Sequence, residues 1–267
     1  MTTIQPIFLR QGLDQLTVPR PHDLLREKNG FSILLPDTLY TPARMWYRRF
    51  SYMTGRKTSP FSLYASEDVA FIHIPKNAGT FINGIVYPQF APEASTRINA
   101  HHSAQYLNLL DSHTFKKTKK FAILRNPITR LRSAFDYLKF KTPFETDKVF
   151  AETALADFDS FETFCANVSD STFKELIKWP HFQPQISFIC DMHGTLIVDA
   201  LTVSERMDEG LHSIGETLGK DWSGIDIKPS SIQSDPIVGD IVDRYYSADL
   251  NLWALANNAP RASCWVE

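Results

Sequence analysis

The 267-residue chain has few cysteines and no large excess of either charge. Its three cysteines, Cys165, Cys190 and Cys264, are scattered and form no CxxC pair. This pattern favours free thiols in a reducing compartment over disulfides or a zinc site. The formal net charge is −2, so binding of nucleic acid through bulk positive charge is not expected.

Signals for export and for membrane insertion are also missing from the sequence. Residues 1–6 contain no basic stretch leading into an apolar segment, so no signal peptide is predicted. No run approaches the roughly 20 apolar residues that a membrane-spanning helix needs. We therefore expect a cytoplasmic protein with no integral membrane segment.

The first 60 residues differ from the remainder in their proline content. Prolines at positions 6, 19, 21, 36, 42 and 60 argue against long helices or strands there. We expect an N-terminal extension of unassigned structure over 1–60 and a single α/β domain over 61–267. Within the extension, residues 44–52 mix arginines with aromatic residues. We interpret them as a surface helix that packs its aromatics on the core; an acceptor groove or a membrane-facing segment are the alternatives.

The stretch VAFIHIPKNAGTFING, residues 69–84, is the most informative in the chain. Its apolar start predicts a buried strand over Val69–Ile74, followed by a tight turn and a helix that opens near Thr80. Such a turn directs backbone N–H groups and the positive end of a helix towards one point, which is a common anion site. Lys76 adds a full positive charge in the same turn.

A second unit of the same type follows at residues 121–138. Phe121–Leu124 predicts a short buried strand, with Arg125 at its carboxyl end, where open α/β sheets bind ligands. Asn126 suits a helix N-cap and Pro127 the first helical position. Residues 116–141 contain nine Lys or Arg and one acid. This local surplus indicates a polyanionic ligand, although a solvated basic surface is the alternative.

The remaining segments predict helices and one further strand. Helices are expected over 157–168 and 172–179, a strand over 196–201, and a helix over 237–255 with a break near Ser247. His101 and His102 are predicted in a loop just before a helix that begins at Ser103. His181 and Gln185 could face a substrate cleft or be solvated loop residues.

Taken together, the two anion-binding stretches resemble the nucleotide motifs of sulfotransferases that act on carbohydrates. HIPKNAGT, residues 73–80, resembles the loop that binds the 5′-phosphosulfate. RNPITRLRSAF, residues 125–135, resembles the 3′-phosphate motif RNPxxRxxSxF, in which Arg125 and Ser133 take the phosphate-binding positions. The resemblance extends over about residues 69–250. It departs from the usual pattern at Asn77 and Phe81, where Thr and Ser are common.

The resemblance implies a P-loop-like sulfotransferase fold, with a central parallel β-sheet flanked by helices. It also implies 3′-phosphoadenosine-5′-phosphosulfate as donor, the 3′,5′-bisphosphate as product, and an acceptor hydroxyl, with a saccharide as the favoured class. No metal is required, because Lys76 would meet the charge of the leaving group. His102 is the favoured histidine base, and His101 the second choice. The expected donor-binding residues are Lys76, Asn77, Ala78, Gly79, Thr80, Phe81, Arg125 and Ser133.

Two other functions are consistent with the residues. A kinase that transfers phosphoryl from ATP would also use a strand–turn–helix anion site, and residues 196–199 resemble a Walker-B strand. The Walker-A pattern GxxxxGK[ST] does not fit, however, because Lys76 precedes Gly79. A protein that binds the nucleotide without catalysis is the third hypothesis. Neither the acceptor nor the oligomeric state can be read from the sequence.

Overall fold

The central feature of the computed structural model, which describes residues 3–4, 19–25, 37–88, 101–222, 236–259 and 263–266, is a five-stranded sheet. The strands are β1 (Thr3–Ile4), β2 (Val69–Ile72), β3 (Lys119–Leu124), β4 (Ala200–Val203) and β5 (Ser263–Val266). Their order across the sheet is β1-β5-β4-β3-β2. β2, β3 and β4 are parallel, whereas β5 runs antiparallel to β4. The predicted α/β fold with a central parallel sheet is therefore confirmed.

Helices surround this sheet. In chain order they are α1 (His22–Leu25), α2 (Asp37–Met53), α3 (Phe61–Tyr64), α4 (Gly79–Val86), α5 (Ala104–Leu110), α6 (Ser112–Lys117), α7 (Pro127–Asp136), α8 (Glu145–Ala154), α9 (Phe161–Asn167), α10 (Asp170–Leu176), α11 (Ile186–Ile189), α12 (Met207–Leu218), α13 (Pro236–Tyr245) and α14 (Ser247–Asn257). A π-helical segment, Tyr137–Lys141, extends α7.

The hydrophobic core lies on both faces of the sheet. Every residue of β2 and β4 is buried, and so is β3 after Lys119. This explains why the strands are continuously apolar in sequence instead of alternating. A second cluster, rich in phenylalanine, packs α7 against α8–α10 and α13. The sheet therefore holds the carboxyl ends of β2 and β3 side by side.

Local sequence signals set several helix ends as predicted. The Ser103 side chain accepts from the N–H of Tyr106 at 3.1 Å and begins α5. Asn126 caps α7, with Pro127 in its first turn. The chain also breaks between α13 and α14 at Tyr246, next to the predicted Ser247. At Ser103 and Asn126 a short-range hydrogen bond decides the boundary, and Pro127 adds a backbone restriction at the second of them.

Other boundaries differ from the predictions. β2 ends at Ile72, so His73 and Ile74 belong to the turn. β4 begins at Ala200 instead of Leu196, which forms an isolated antiparallel bridge with Cys190. α9 begins at Phe161, four residues later than predicted, because Ser160 caps its first turn. α10 begins at Asp170, two residues earlier than predicted, because Ser169 caps its first turn, and it ends at Leu176. Cys165 and Cys190 are free thiols, and the side chain of Cys264 lies outside the described residues.

The expectation that residues 1–60 hold no long element is wrong. α2 contains 17 residues and includes Pro42. Pro42 lies in the second turn, where it removes one intrahelical hydrogen bond without ending the helix. The predicted packing of the aromatics in residues 44–52 holds for Tyr52, which packs against the core. It is wrong for Trp46, Tyr47 and Phe50, which are exposed.

Parts of the first 60 residues contact the sheet domain directly. Both carboxylate oxygens of Asp23 accept hydrogen bonds from Ser103, from its N–H and its hydroxyl, at 2.9 Å. Arg48 on α2 donates to the Tyr106 hydroxyl at 3.0 Å. No helix within the described ranges has the length and apolar character needed to cross a membrane.

Candidate active site

The loop between β2 and α4 has an unusual backbone. Lys76 and Ala78 adopt positive φ angles of 71° and 60°, a region that residues other than glycine rarely occupy. Left-handed residues that alternate with ordinary ones form concave rows of N–H groups that bind anions. The N–H groups of Asn77 and Phe81 donate to Ile74 and Ala78 carbonyls. Those of Ala78, Gly79 and Thr80 make no such bond to any described residue and lie at the start of α4.

Two arginines of the second motif hold this loop by its carbonyl groups. Arg125 donates from Nη1 to the carbonyl of Lys76 at 3.0 Å. Arg130 donates from Nε to the carbonyl of Pro75 at 3.0 Å and from Nη1 to that of Gln183 at 2.8 Å. Arg130 is 2% exposed, so the alternative of a solvated helix position is wrong for this residue. Residues of the second motif therefore hold the first loop in place.

Asn77 and Gln185 form a second tie between the two motifs. The Asn77 amide donates to the carbonyl of Ile123 at 2.6 Å and to Gln185 Oε1 at 2.7 Å. Gln185 also accepts from the N–H of Arg125 and donates to its carbonyl, both at 2.9 Å. Both side chains are fully buried. Gln185 is thus neither solvated nor open to a cleft, and the Asn77 side chain, which stands where Thr is common, joins the two motifs through hydrogen bonds.

The loop is surrounded by four cations that form no close ion pair with a described carboxylate. Burial, together with the charges of Arg125, Lys141 and Arg130, lowers the pKa of Lys76 to about 8, although Asp147 acts in the opposite direction. No ion pair between described residues involves any of these four cations. In addition, Nη2 of Arg130 is buried without a hydrogen-bond partner in the described part of the chain. This arrangement favours a bound anion.

His101 contacts this loop at His73. Its ring centroid is 4.4 Å from that of His73 and 5.8 Å from that of His181. Its Nδ1 lies 3.2 Å from the carbonyl of His73, so Nδ1 carries the proton and Nε2 is the basic nitrogen. Burial, together with the charges of Arg130 and Lys76, lowers the pKa of His101 to about 4. The imidazole is therefore neutral at physiological pH.

A series of ring contacts connects His101 to Lys76. The His181 ring stacks on that of Tyr137 with a centroid distance of 5.0 Å. The Lys76 ammonium lies 3.7 Å from the centroid of the same tyrosine, a cation–π contact. Tyr137 belongs to the π-helical segment after α7, and such segments are frequent at functional sites. Sequence analysis missed Tyr137, because no pattern distinguishes it from a core aromatic.

His102 is directed to a different environment. Its ring stacks on Tyr106 at 4.9 Å. Burial lowers the pKa of His102 to about 4, with smaller effects from the charges of Arg48 and His101. Asp23, which sequence analysis also missed, holds Ser103 directly after these histidines. His101 and His102 therefore lie in a loop that Asp23, from the N-terminal residues, helps to hold in place.

A cleft of 1460 Å³ begins at the two histidines. The inner side of α2 forms one wall, through Arg44 and Arg48, and helices α8 and α10 with the segment after α10 form the other. Its surface combines aromatic faces with both signs of charge, in particular Phe150, Phe158, Trp179, Lys178, Asp157 and Glu175. A cleft of this size suits a polar organic ligand, whose rings can pack on the aromatic side chains and whose polar groups can bind the charged ones.

The other predicted site residues are placed as follows. Thr80 and Phe81 are exposed on the first turn of α4. Ser133 is half-buried on α7, and its hydroxyl makes no hydrogen bond to the residues that the structure describes. Lys76, Arg125 and His101 are therefore brought together with His73. Arg132, in the same basic segment as Arg125, pairs with Glu162 at 2.8 Å on the surface.

Comparison with known proteins supplies the remaining evidence. A scan against protein-family models matches the family described as Sulfotransferase family over residues 61–221. Comparisons with curated proteins and with solved structures return no match. The matched span contains both anion-binding stretches, the histidine loop and most of the cleft. The chain belongs to the sulfotransferase family.

Proposed function

We propose that the protein transfers the sulfuryl group of 3′-phosphoadenosine-5′-phosphosulfate to an acceptor hydroxyl, with a saccharide as the favoured acceptor. Membership of the sulfotransferase family gives the reaction type. The single observation that carries the choice of donor is the set of four cations around the 73–80 loop, none of which forms an ion pair with another described residue. A nucleotide with phosphates at both ends of its ribose would neutralise these charges.

The 5′ end of the donor suits the loop itself. The N–H groups of Ala78, Gly79 and Thr80 could bind its oxygens, and Lys76 could neutralise charge on the bridging oxygen of the leaving group. Each well-placed donor of this kind stabilises a transition state by about 3 kcal/mol. The Nη2 atom of Arg130, which is buried without a partner among the described residues, supports the same assignment. A buried guanidinium group with an unused N–H favours a nearby anion.

The 3′ end of the donor suits Arg125 and Ser133. Arg125 uses Nη1 for the carbonyl of Lys76 and Nε for Thr129, which leaves Nη2 for a phosphate oxygen. Ser133 lies two turns further along α7, and its hydroxyl is not used by any other described residue. A charge-assisted pair of this kind would distinguish the 3′-phosphorylated nucleotide from ATP.

His101 is the base that the contacts support, ahead of His102, which the sequence favoured. Its Nδ1–H is fixed on the carbonyl of His73, so Nε2 could accept the proton of the acceptor hydroxyl. Only two rings separate it from Lys76. As the hydroxyl oxygen forms its bond to sulfur, its proton passes to His101 and the nucleotide leaves with the electrons of the broken S–O bond.

The kinase alternative is disfavoured by the position of Asp199. This residue accepts from the N–H of Lys120 at 2.7 Å and pairs with its ammonium at 2.9 Å. Lys120 lies at the start of β3, whereas the 73–80 loop follows the carboxyl end of the parallel strand β2. Asp199 is therefore at the opposite end of the strands from this loop. A Walker-B aspartate would lie near the nucleotide phosphates.

Ligand-induced stabilisation tests the donor. We expect adenosine 3′,5′-bisphosphate to raise the melting temperature and ATP with Mg²⁺ to leave it nearly unchanged, because only ligands of the folded state stabilise it. Labelled sulfate should then move from the donor to a saccharide acceptor in the presence of EDTA. Equal stabilisation by both nucleotides would contradict the 3′-phosphate site. Binding without transfer to any hydroxyl acceptor would favour the nucleotide-binding hypothesis.

A further inference from the structure

Four large apolar side chains of helix α2 lie on the outside of the protein. Leu39, Trp46, Phe50 and Met53 recur at intervals of three, four or seven residues and therefore share one side of the helix. Their exposed fractions are 59%, 68%, 40% and 86%. The opposite side, which faces the cleft and α5, contains Arg44, Met45, Arg48, Ser51 and Tyr52. The helix is thus amphipathic with its apolar side outward, the reverse of an ordinary surface helix.

The exposed side forms a preorganised aromatic surface. The rings of Trp46 and Phe50 stack with a centroid distance of 5.8 Å and an interplanar angle of 13°. Tyr47, which is 56% exposed, borders them. Contiguous exposed apolar patches are uncommon on monomeric proteins and usually mark a contact surface.

Positive charge accompanies this surface. Residues 37–57 contain five arginines and lysines and a single acid, Asp37. Arg56 and Lys57 are exposed just beyond the C-terminus of α2, with the Arg56 guanidinium 5.6 Å from the centroid of the Phe50 ring. Arg49 is exposed beside the aromatic residues and also donates to the carbonyls of Leu109 and Leu110. The surface combines aromatic residues with a basic border.

We propose that α2 lies in the plane of an anionic membrane surface. Trp46, Phe50 and Met53 enter the boundary between headgroups and acyl chains, and Arg56 and Lys57 contact lipid phosphates. Helices of this type bind membranes by burying an apolar side a few ångströms deep and by attracting anionic lipids. Tryptophan and tyrosine favour this interfacial depth because their rings are apolar with one polar group.

Charge complementarity favours a lipid surface over a second copy of the chain. A second copy of the chain would present the same basic surface, because residues 37–57 contain five arginines and lysines and a single acid. Like charges at such an interface oppose association, whereas anionic headgroups neutralise them. The same helix carries Arg44 and Arg48 on its inner side. Membrane contact would therefore hold one wall of the acceptor cleft close to the lipid surface.

Vesicle flotation with the full chain tests the proposal. We expect the protein to float with vesicles of phosphatidylcholine mixed with phosphatidylserine and to remain in solution with pure phosphatidylcholine. Trp46→Ser with Phe50→Ser should lower the bound fraction at least about tenfold, through loss of buried apolar area. Arg56→Glu with Lys57→Glu should have a similar effect, and added salt should weaken binding by the wild type.

Matched controls come from other exposed positions. Met192 is 65% exposed in a turn, and Lys148 is exposed on α8. Met192→Ser and Lys148→Glu should bind like the wild type, and circular dichroism should show that all variants are folded. The proposal is overturned if the wild type does not float with the mixed vesicles, or if the Trp46 and Phe50 variant floats undiminished. It is also overturned if that variant instead changes the oligomeric state in size-exclusion chromatography while vesicle binding persists.

Discussion

The imidazole ring of His73 lies directly against the α-carbon of Gly79. A Cβ atom built on Gly79 would be 1.8 Å from Cδ2 of that ring and 2.0 Å from Nε2, far inside van der Waals contact. His73 lies directly after β2 and Gly79 begins α4. This contact therefore brings the two ends of the 73–80 loop together. The glycine is required for close approach, since its φ angle is not among the positive ones.

We therefore expect Gly79→Ala to displace His73 and to distort the loop. Overpacking of this kind destabilises a protein by about 1–3 kcal/mol, which thermal melting would detect. Gly84→Ala is the matched control on the same helix, because a Cβ atom built there would meet no atom within 4 Å, and it should be neutral or slightly stabilising. The double variant His73→Ala with Gly79→Ala should recover part of the loss. A loss equal for Gly79→Ala and Gly84→Ala would contradict the contact.

Replacement of Lys76 by methionine should separate activity from stability. Burial and neighbouring cations hold the pKa of Lys76 at about 8, below the ordinary value of 10.5. A lowered lysine pKa destabilises the folded state below pH 8, and this penalty fades as the pH rises from 8 to 10.5. At pH 7 we expect Lys76→Met to raise the free energy of unfolding by about 1 kcal/mol, a figure reduced for solvent screening.

The same variant should lower kcat by about 10²–10³, because Lys76 is the cation proposed to stabilise the leaving group. Chemical denaturation and sulfate transfer at saturating donor measure the two effects. Lys148→Met, at an exposed position on α8, should change neither. A Lys76→Met variant that is less stable and still active would contradict both the site and its electrostatics.

The two neighbouring histidines should differ in their kinetic effect. We expect His101→Ala to lower kcat by about 10²–10⁴, the usual contribution of a general base. His102→Ala should lower it by less than about tenfold, because its ring stacks on Tyr106, away from the anion loop. Affinity for adenosine 3′,5′-bisphosphate, measured by calorimetry, should change little in either variant. A larger effect of His102→Ala would restore the sequence-based assignment of the base.

We expect the Ser133 hydroxyl to donate a hydrogen bond to the 3′-phosphate of the donor. Loss of a hydrogen bond to a charged group costs about 1.5–3 kcal/mol, so Ser133→Ala should weaken adenosine 3′,5′-bisphosphate binding by tenfold or more. Binding of adenosine 5′-phosphosulfate, which lacks the 3′-phosphate, should be unaffected. Arg132→Ala serves as control, because Arg132 pairs with Glu162 on the surface. Equal loss for both nucleotides would point to a structural role of Ser133.

Acid should destabilise the protein through its buried histidines. Burial lowers the pKa of His22 to about 3 and those of His101 and His102 to about 4, and the pKa values of His73 and His181 lie well below 6.5. As the pH falls, these imidazoles are protonated in the unfolded state before they are protonated in the folded state. The free energy of unfolding therefore decreases as the pH drops from 6.5 towards 4.

Two carboxyl groups act in the opposite direction. Burial raises the pKa of Asp23 to about 7 and that of Asp249 to about 6, so their protonation favours the folded state in the same range. In this range the unfolded state binds up to five protons on the histidines, whereas the folded state binds up to two on the carboxyl groups. The net difference of three protons changes the free energy of unfolding by up to about 4 kcal/mol per pH unit. We expect the melting temperature to fall steeply between pH 6.5 and 5. A flat profile there would show that the histidines are not buried as described.

The sequence predicted features that depend on neighbours along the chain. The strands β2 and β3 follow from apolar runs, and the helix starts at Ser103 and Asn126 follow from short-range hydrogen bonds. The order of Lys76 and Gly79 and the spacing of Arg125 and Ser133 indicated a sulfotransferase, which the family match confirms. These signals are local, so one chain segment is enough to read them.

The assignments that failed involve contacts between distant segments. Gln185 contacts Asn77 across 108 residues and Arg125 across 60, and no pattern near Gln185 reveals those partners. α2 was misread because amphipathicity shows that a helix has an apolar side but not which side faces the core.

The sequence by itself therefore determined the sulfotransferase family and the position of Lys76 in the turn after β2, since these lie within two short motifs. Only the tertiary structure decided which histidine faces that loop and which side of α2 meets solvent. The physical reason is that adjacent side chains such as His101 and His102 point in different directions, and their surroundings come from elements brought together by folding.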